Sequence, residues 1–125
     1  FIGTMNLLKS SFIGRDGDRL RFAAGGLSLE ATSETGDTPA EGAERTIGVR
    51  PEDLLATTDA GNGTAPARVN SIVFHGRTLR LHAELRQGLP VVIDAPRQAE
   101  GFQFSVGDVA HISLRRGANC PMLPG

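Results

Sequence analysis

The stretch Gly3-Thr4-Met5-Asn6-Leu7-Leu8-Lys9-Ser10 has the outline of a phosphate-binding loop, with a leading glycine, four spacer residues and a closing Lys-Ser. Leu8 stands where that loop needs its second glycine, and a leucine side chain there would block the close approach of backbone to phosphate. No strand precedes it and no helical pattern follows, so phosphate chemistry is not expected. The histidines His75, His82 and His111 could in principle hold a metal, but none falls at i, i+4 on a helical pattern and the single cysteine, Cys120, adds no close-spaced ligand pair. His82 and His111 read as outward strand residues, and His75 as a strand end beside Gly76.

A Ser71, His75, Asp94 set contains the right residue types for acyl transfer, yet no Gly-x-Ser-x-Gly elbow is present to activate the serine. The neighbouring carboxylates Glu52 and Asp53 face different directions on a helical turn, so they do not make an acid–base pair. The sequence therefore assigns no catalytic, metal-binding or cofactor-binding residue.

What positions these side chains is a β pattern almost throughout. Arg19-Leu20-Arg21-Phe22 and Leu27-Ser28-Leu29-Glu30 alternate apolar and polar residues, with Asp16-Gly17 and Gly25-Gly26 as turns, which predicts an N-terminal meander within residues 1–30. From Ala31 to Arg45 no apolar period survives, and an exposed acidic loop is expected. Residues 46–58 read as a short strand ended by Pro51, then one helical turn with Glu52 and Asp53 near its positive end.

Residues 66–116 supply the main barrel strands. Val69, Ile72 and Phe74 form a period-two set with one slip, which predicts a bulge. Leu79, Leu81, Ala83 and Leu85 share one face while Arg80, His82, Glu84 and Arg86 share the other. Leu89 to Ile93 follows, then a loop over 95–101 and a last strand with Ala110, Ile112 and Leu114 inward. Short strands at this spacing predict an all-β, OB-like barrel with at most one or two short helical turns. No internal repeat is legible.

The 125 residues suffice for one domain with a core, without disulfides. No apolar run reaches the roughly 20 residues of a spanning helix. Net charge is -1, but residues 1–65 hold 6 Lys/Arg against 10 Asp/Glu, and 66–125 hold 7 against 4. Arg68, Arg77, Arg80 and Arg86 could face nucleic acid; with no Trp or Tyr, and six Phe expected in the core, a base-stacking platform is lacking and no nucleic-acid partner is expected.

Taken in order, Phe1-Ile2-Gly3 with Asn6-Leu7-Leu8, then Gly48-Val49-Arg50-Pro51-Glu52, then Phe74-His75-Gly76, then Phe104, Gly107, Asp108 and Val109, resemble the transport-associated OB (TOBE) regulatory domain of ABC importer ATP-binding subunits. The likeness is greatest to the branch serving polyamine and ferric iron importers. It departs at the inserted His75 and the long acidic loop. The resemblance implies one TOBE/OB-like domain over 1–125, an ATPase domain upstream of residue 1, and ATP and Mg bound only by that domain. It implies partners in the chain's own ATPase domain, a second identical subunit and membrane permease subunits, on the cytoplasmic face of the membrane. Phe1, Ile2, Gly3, Asn6, Arg50, Pro51 and Glu52 are the junction or interface residues it suggests. A barrel that binds a small ligand or oxyanion, like the molybdate-binding domains, is the alternative.

Overall fold

The computed structural model describes residues 5–32, 38–61, 63–96, 104–118 and 120–123, leaving aside the side chains of His75 and Pro96. Alternation builds the first three strands, β1 (Asn6–Asp16), β2 (Arg19–Ala24) and β3 (Leu27–Thr32). Leu8, Phe12, Leu20, Phe22, Leu27 and Leu29 turn inward and their neighbours face out. Gly25 and Gly26 both have positive φ, 57° and 90°, the backbone a two-residue hairpin turn needs and one that residues with a Cβ resist.

The chain continues through β4 (Glu44–Val49), a single 3-10 turn at Pro51–Asp53, β5 (Leu54–Thr57), β6 (Ala65–His75) and β7 (Thr78–Glu84). A second 3-10 turn at Arg86–Gly88 leads to β8 (Pro90–Pro96), β9 (Val109–Leu114) and β10 (Cys120–Pro121). Two five-stranded sheets result, in the orders β10-β3-β2-β1-β4 and β5-β9-β6-β7-β8. The first sheet closes on itself: β10 runs parallel to β3, while Met122 bridges Ile47 of β4 and the Leu123 N–H donates to the Thr46 carbonyl at 2.9 Å. In the second, β5 pairs with β9 and packs against β8. The fold is all-β and OB-like, with short helical turns and an N-terminal meander.

The two sheets repeat one another. Orders 3-2-1-4 and 8-7-6-9 match hairpin for hairpin: β1 and β6 are each 11 residues, and each carries a bulge in its pairing with its hairpin partner. Pairing registers correspond, Arg21 opposite Glu30 in one and Arg80 opposite Asp94 in the other. The fifth strands are exchanged, because β5 follows β4 of the first sheet yet joins the second, and β10 follows β9 of the second yet joins the first. The sequence hides this repeat because inward positions require only apolar character: Leu8 corresponds to Ala67 and Phe22 to Leu81.

One continuous core draws on both sheets, with Phe12 and Phe22 in edge-to-face contact at 5.4 Å. Several boundaries differ from the sequence reading. β3 extends through Thr32 and β4 starts at Glu44, so strands trim the acidic loop, whose residues 33–37 lie outside the described ones. Leu54 and Leu55 belong to β5 rather than to a helical turn. The bulge in β6 falls at Asn70, between Val69 and Ser71, as the slip in its pattern required. Phe74 is 62% exposed instead of core, because it sits beside the tip of the β6–β7 hairpin, beyond the reach of the inner layer.

Candidate functional site

The exposed faces of β2 and β3 meet the end of β9 and the turn after it, and between them opens a cleft of about 580 Å³. Alternation that sends Leu20 and Phe22 inward sends Arg19 and Arg21 to the cleft wall, and the same rule on β3 presents Ser28 and Glu30. The opposite wall is Ser113, Leu114 and the turn Arg115-Arg116-Gly117-Ala118, with Gly63 at the rim. Four guanidinium groups thus face one carboxylate. Arg19 lies 3.7 Å from Glu30 and donates to the Ala118 carbonyl at 3.3 Å, which ties the turn to β2. Arg21, Arg115 and Arg116 have no ion-pair partner among the described residues. The Arg115 backbone N–H is held by the Asp53 carbonyl at 2.7 Å, so the turn is fixed at both ends.

The pocket shows what the sequence reading missed. Arg19, Arg21 and Arg115 are legible in the sequence only as outward residues beside Leu20, Phe22 and Leu114, and Arg116 carries no signal of its own. The arginines singled out from sequence behave otherwise: Arg68, Arg77 and Arg86 are exposed away from the cleft lining, and Arg80 donates two hydrogen bonds to the Asp94 carboxylate at 2.7 and 2.9 Å. That hydrogen bond pushes the Arg80 pKa up, burial opposes it, and the charges of Asp94 and Glu52 add to it.

Of the expected junction residues, Phe1, Ile2 and Gly3 lie outside the described residues. Asn6 is buried. Its Nδ2 donates to the Val92 carbonyl at 2.8 Å and its Oδ1 accepts from the Val92 N–H at 2.7 Å, so it occupies the open edge of β8 as a strand would. Asn6 also stands opposite Val49, which places it beside the Arg50–Glu52 corner. Pro51 is buried there, Arg50 and Glu52 are exposed, and no Arg50–Glu52 ion pair forms among the described residues. Gly3–Ser10 is no phosphate loop from Asn6 onward: it is strand, with Leu8 in the core and the Ser10 hydroxyl donating to the Leu8 carbonyl at 2.9 Å. Asp94 serves Arg80, and the Ser71 set gains no described contact to it. Among the described residues no three His, Cys, Asp or Glu converge as metal ligands, and no helix is long and apolar enough to cross a membrane.

Cys120 is buried in β10, and burial pushes its thiol up to about 11, with Asp53 adding and Arg19 opposing. The neutral thiol is favoured by folding, so its stabilisation is complete below the unfolded pKa of about 8.5 and is lost as pH climbs toward about 11. Urea midpoints at pH 8 and pH 10.5 should show the native chain losing about 2 kcal/mol more than Cys120→Ala across that interval. Equal losses in both would show that the thiol does not titrate in the folded chain as burial requires.

Compared with known proteins, residues 47–119 match the model of the family described as the TOBE domain. The spermidine/putrescine import ATP-binding protein PotA of Pseudomonas fluorescens is 26% identical over 124 residues, which is 98% of this chain and 33% of that protein. The protein of the same name from Rubrobacter xylanophilus is 29% identical over 114 residues, 90% of this chain and 30% of its own length. The chain therefore spans about a third of the curated relatives it matches. In fold it is similar to a crystal structure of the cytoplasmic molybdate-binding protein ModG with molybdate bound, at a TM-score of 0.79 and 17% identity, covering 98% of this chain and 99% of that one.

Proposed function

Because the chain belongs to the TOBE domain family, we propose that it is the non-catalytic regulatory and dimerisation domain of the ATP-binding subunit of an ABC importer, for polyamines such as spermidine and putrescine or a similar solute. The observation that supports this reading is the alignment of 98% of the chain with one third of a spermidine/putrescine import ATP-binding protein. Its partners on this reading are its own ATPase domain, a second copy of the subunit and the permease, at the inner face of the membrane. ATP and Mg are bound by the ATPase domain and not by this chain.

The mechanism open to such a domain is contact. A module biases the open or closed state of attached ATPase heads only by interacting differently with the two. Exchanged fifth strands and the Asn6 clamp join the two sheets through one core, so a push on one sheet is passed to the other. The exposed Arg50 and Glu52, on a corner whose Pro51 is buried, are the side chains proposed to meet a neighbouring domain. The test is a chimera in which this chain replaces the aligned third of the Pseudomonas fluorescens relative. Retained spermidine uptake and ATP hydrolysis, with uptake reduced by Arg50→Glu, are expected; a folded chimera that hydrolyses ATP yet imports nothing would sink the reading.

A second reading, a barrel that binds a small ligand or oxyanion in its own right, is favoured by the arginine-lined cleft. Calorimetry with molybdate and tungstate tests it, micromolar binding by this chain being its expected result.

A further inference from the structure

The repeat makes the cleft comparable with its own counterpart. In both sheets a hairpin pair presents an arginine opposite a carboxylate, Arg21 with Glu30 and Arg80 with Asp94. In both, the end of the other sheet's fourth strand and the turn that follows it lie against that hairpin: Pro51–Asp53 after β4 packs on β8, and the end of β9 packs beside β3 before the turn at Arg115–Arg116. Corresponding pairs Asn6–Val49 and Ala65–Ile112 put Glu52 and Asp53 at the positions of Arg115 and Arg116.

The charges at the two corners are opposite. At the β7–β8 corner the arginine is satisfied internally, since Asp94 binds Arg80 through two hydrogen bonds and Glu52 adds its charge from the corner. At the β2–β3 corner two arginines stand where two carboxylates stand in the counterpart, and Arg19 joins them in place of Thr78. Glu30 is the one carboxylate among the described residues that line the cleft, and it lies against Arg19 rather than Arg21. Like charges held around a concavity repel, and among the described residues only Arg19 has an ion-pair partner, Glu30, while Arg21, Arg115 and Arg116 have none.

We propose that this cleft is a binding site for a small polyanion, one carrying two or more phosphate or carboxylate groups, which supplies the negative charge that Glu52, Asp53 and Asp94 supply in the other repeat. Its volume lies in the range that accepts an organic ligand and exceeds what one tetrahedral ion would fill. Guanidinium groups bind such oxygens in bidentate fashion, and Ser28 and Ser113 add hydroxyl donors. The cleft repels spermidine and putrescine, which are cations, so on the importer reading its ligand is a signal distinct from the cargo. A bound polyanion would bridge β2 of one sheet and the turn after β9 of the other, the turn whose Arg115 N–H is held by Asp53 of the opposite corner. The inference stands on the cleft alone and does not depend on the importer reading; against the oxyanion reading it replaces a single tetrahedral ion with a polyanion as the cleft's ligand.

Isothermal titration of the chain at low salt with pyrophosphate, citrate, molybdate and spermidine tests it. Expected are binding of pyrophosphate or citrate at least tenfold tighter than molybdate, no heat from spermidine, and affinity that falls steeply with added salt. Arg21→Ala with Arg116→Ala should weaken that binding at least tenfold, while Arg68→Ala, an exposed side chain of β6 outside the cleft lining, should leave it unchanged. Both variants alter exposed side chains, and matching thermal melts confirm the fold. No heat from either polyanion, or binding equally weakened by Arg68→Ala, would overturn the proposal; molybdate binding tighter than both polyanions would overturn the ligand class. Failure here leaves the uptake of the chimera untouched, so the two readings fail separately.

Discussion

Deletion of residues 120–125 should cost the chain about 4 kcal/mol or more, the largest loss expected from any small change to it. The tail supplies the closing strand of the first sheet. Without it the pairing of Cys120 and Pro121 with Ala31 and Thr32 is gone, as are the Met122 bridge to Ile47 and the hydrogen bond from Leu123 to Thr46. Each net hydrogen bond contributes about 1 kcal/mol, and the buried Cys120 and half-buried Met122 add about 1 kcal/mol apiece. Ala31 and Ile47, at 1% and 0% exposed, would then meet water along two newly open strand edges. A domain of this size has only about 5–15 kcal/mol of stability in total. Urea unfolding followed by far-UV circular dichroism should show the midpoint falling sharply, with amide exchange rising first in β3 and β4. A midpoint within error of the full chain would mean that the first sheet does not depend on the exchanged strand.

Asn6→Ala should cost about 3 kcal/mol, an effect out of proportion to one surface-length side chain. Two hydrogen bonds run between this single amide and the Val92 backbone, at 2.7 and 2.8 Å, and Asn6 is 6% exposed. Its removal leaves the half-buried N–H and carbonyl of Val92 on the edge of β8 without this partner, and each costs about 1–3 kcal/mol to strand. Asn6→Asp separates geometry from packing: it can accept from the Val92 N–H but has no donor for the Val92 carbonyl, and it adds a charge. It should be at least as destabilised as the alanine variant. If the residue served only to meet a neighbouring domain, both variants of the isolated chain would unfold at the native urea concentration.

Asn6 also shows how far a motif can be read. Its place in an ordered set of short motifs was visible, as was its grouping with Arg50, Pro51 and Glu52 as a junction residue implied by the resemblance. That its amide faces inward to another strand was not, because the partner lies 86 residues away and offers only backbone. The arginines of the cleft illustrate the same limit. Alternation declares that Arg19 and Arg21 point away from Leu20 and Phe22, yet what they point toward depends on where β9 ends in space. Arg80 carried the same sequence signal and is bound by Asp94 instead.

Strand identity came through wherever alternation was unbroken, as in β2, β3, β7 and β9, since burial on one side of a pleated chain imposes a period of two on the sequence itself. The bulge in β6 was legible for the same reason, as a break in that period. By itself, then, the sequence determined an all-β chain of short strands and turns and the order of its family motifs. Tertiary structure alone decided the rest: β5 and β10, 4 and 2 residues long, are strands only because the opposite sheet leaves an edge for them to pair with. The repeat, the exchange and the cleft all follow from that pairing, which is long-range backbone hydrogen bonding and leaves almost no mark on side-chain type.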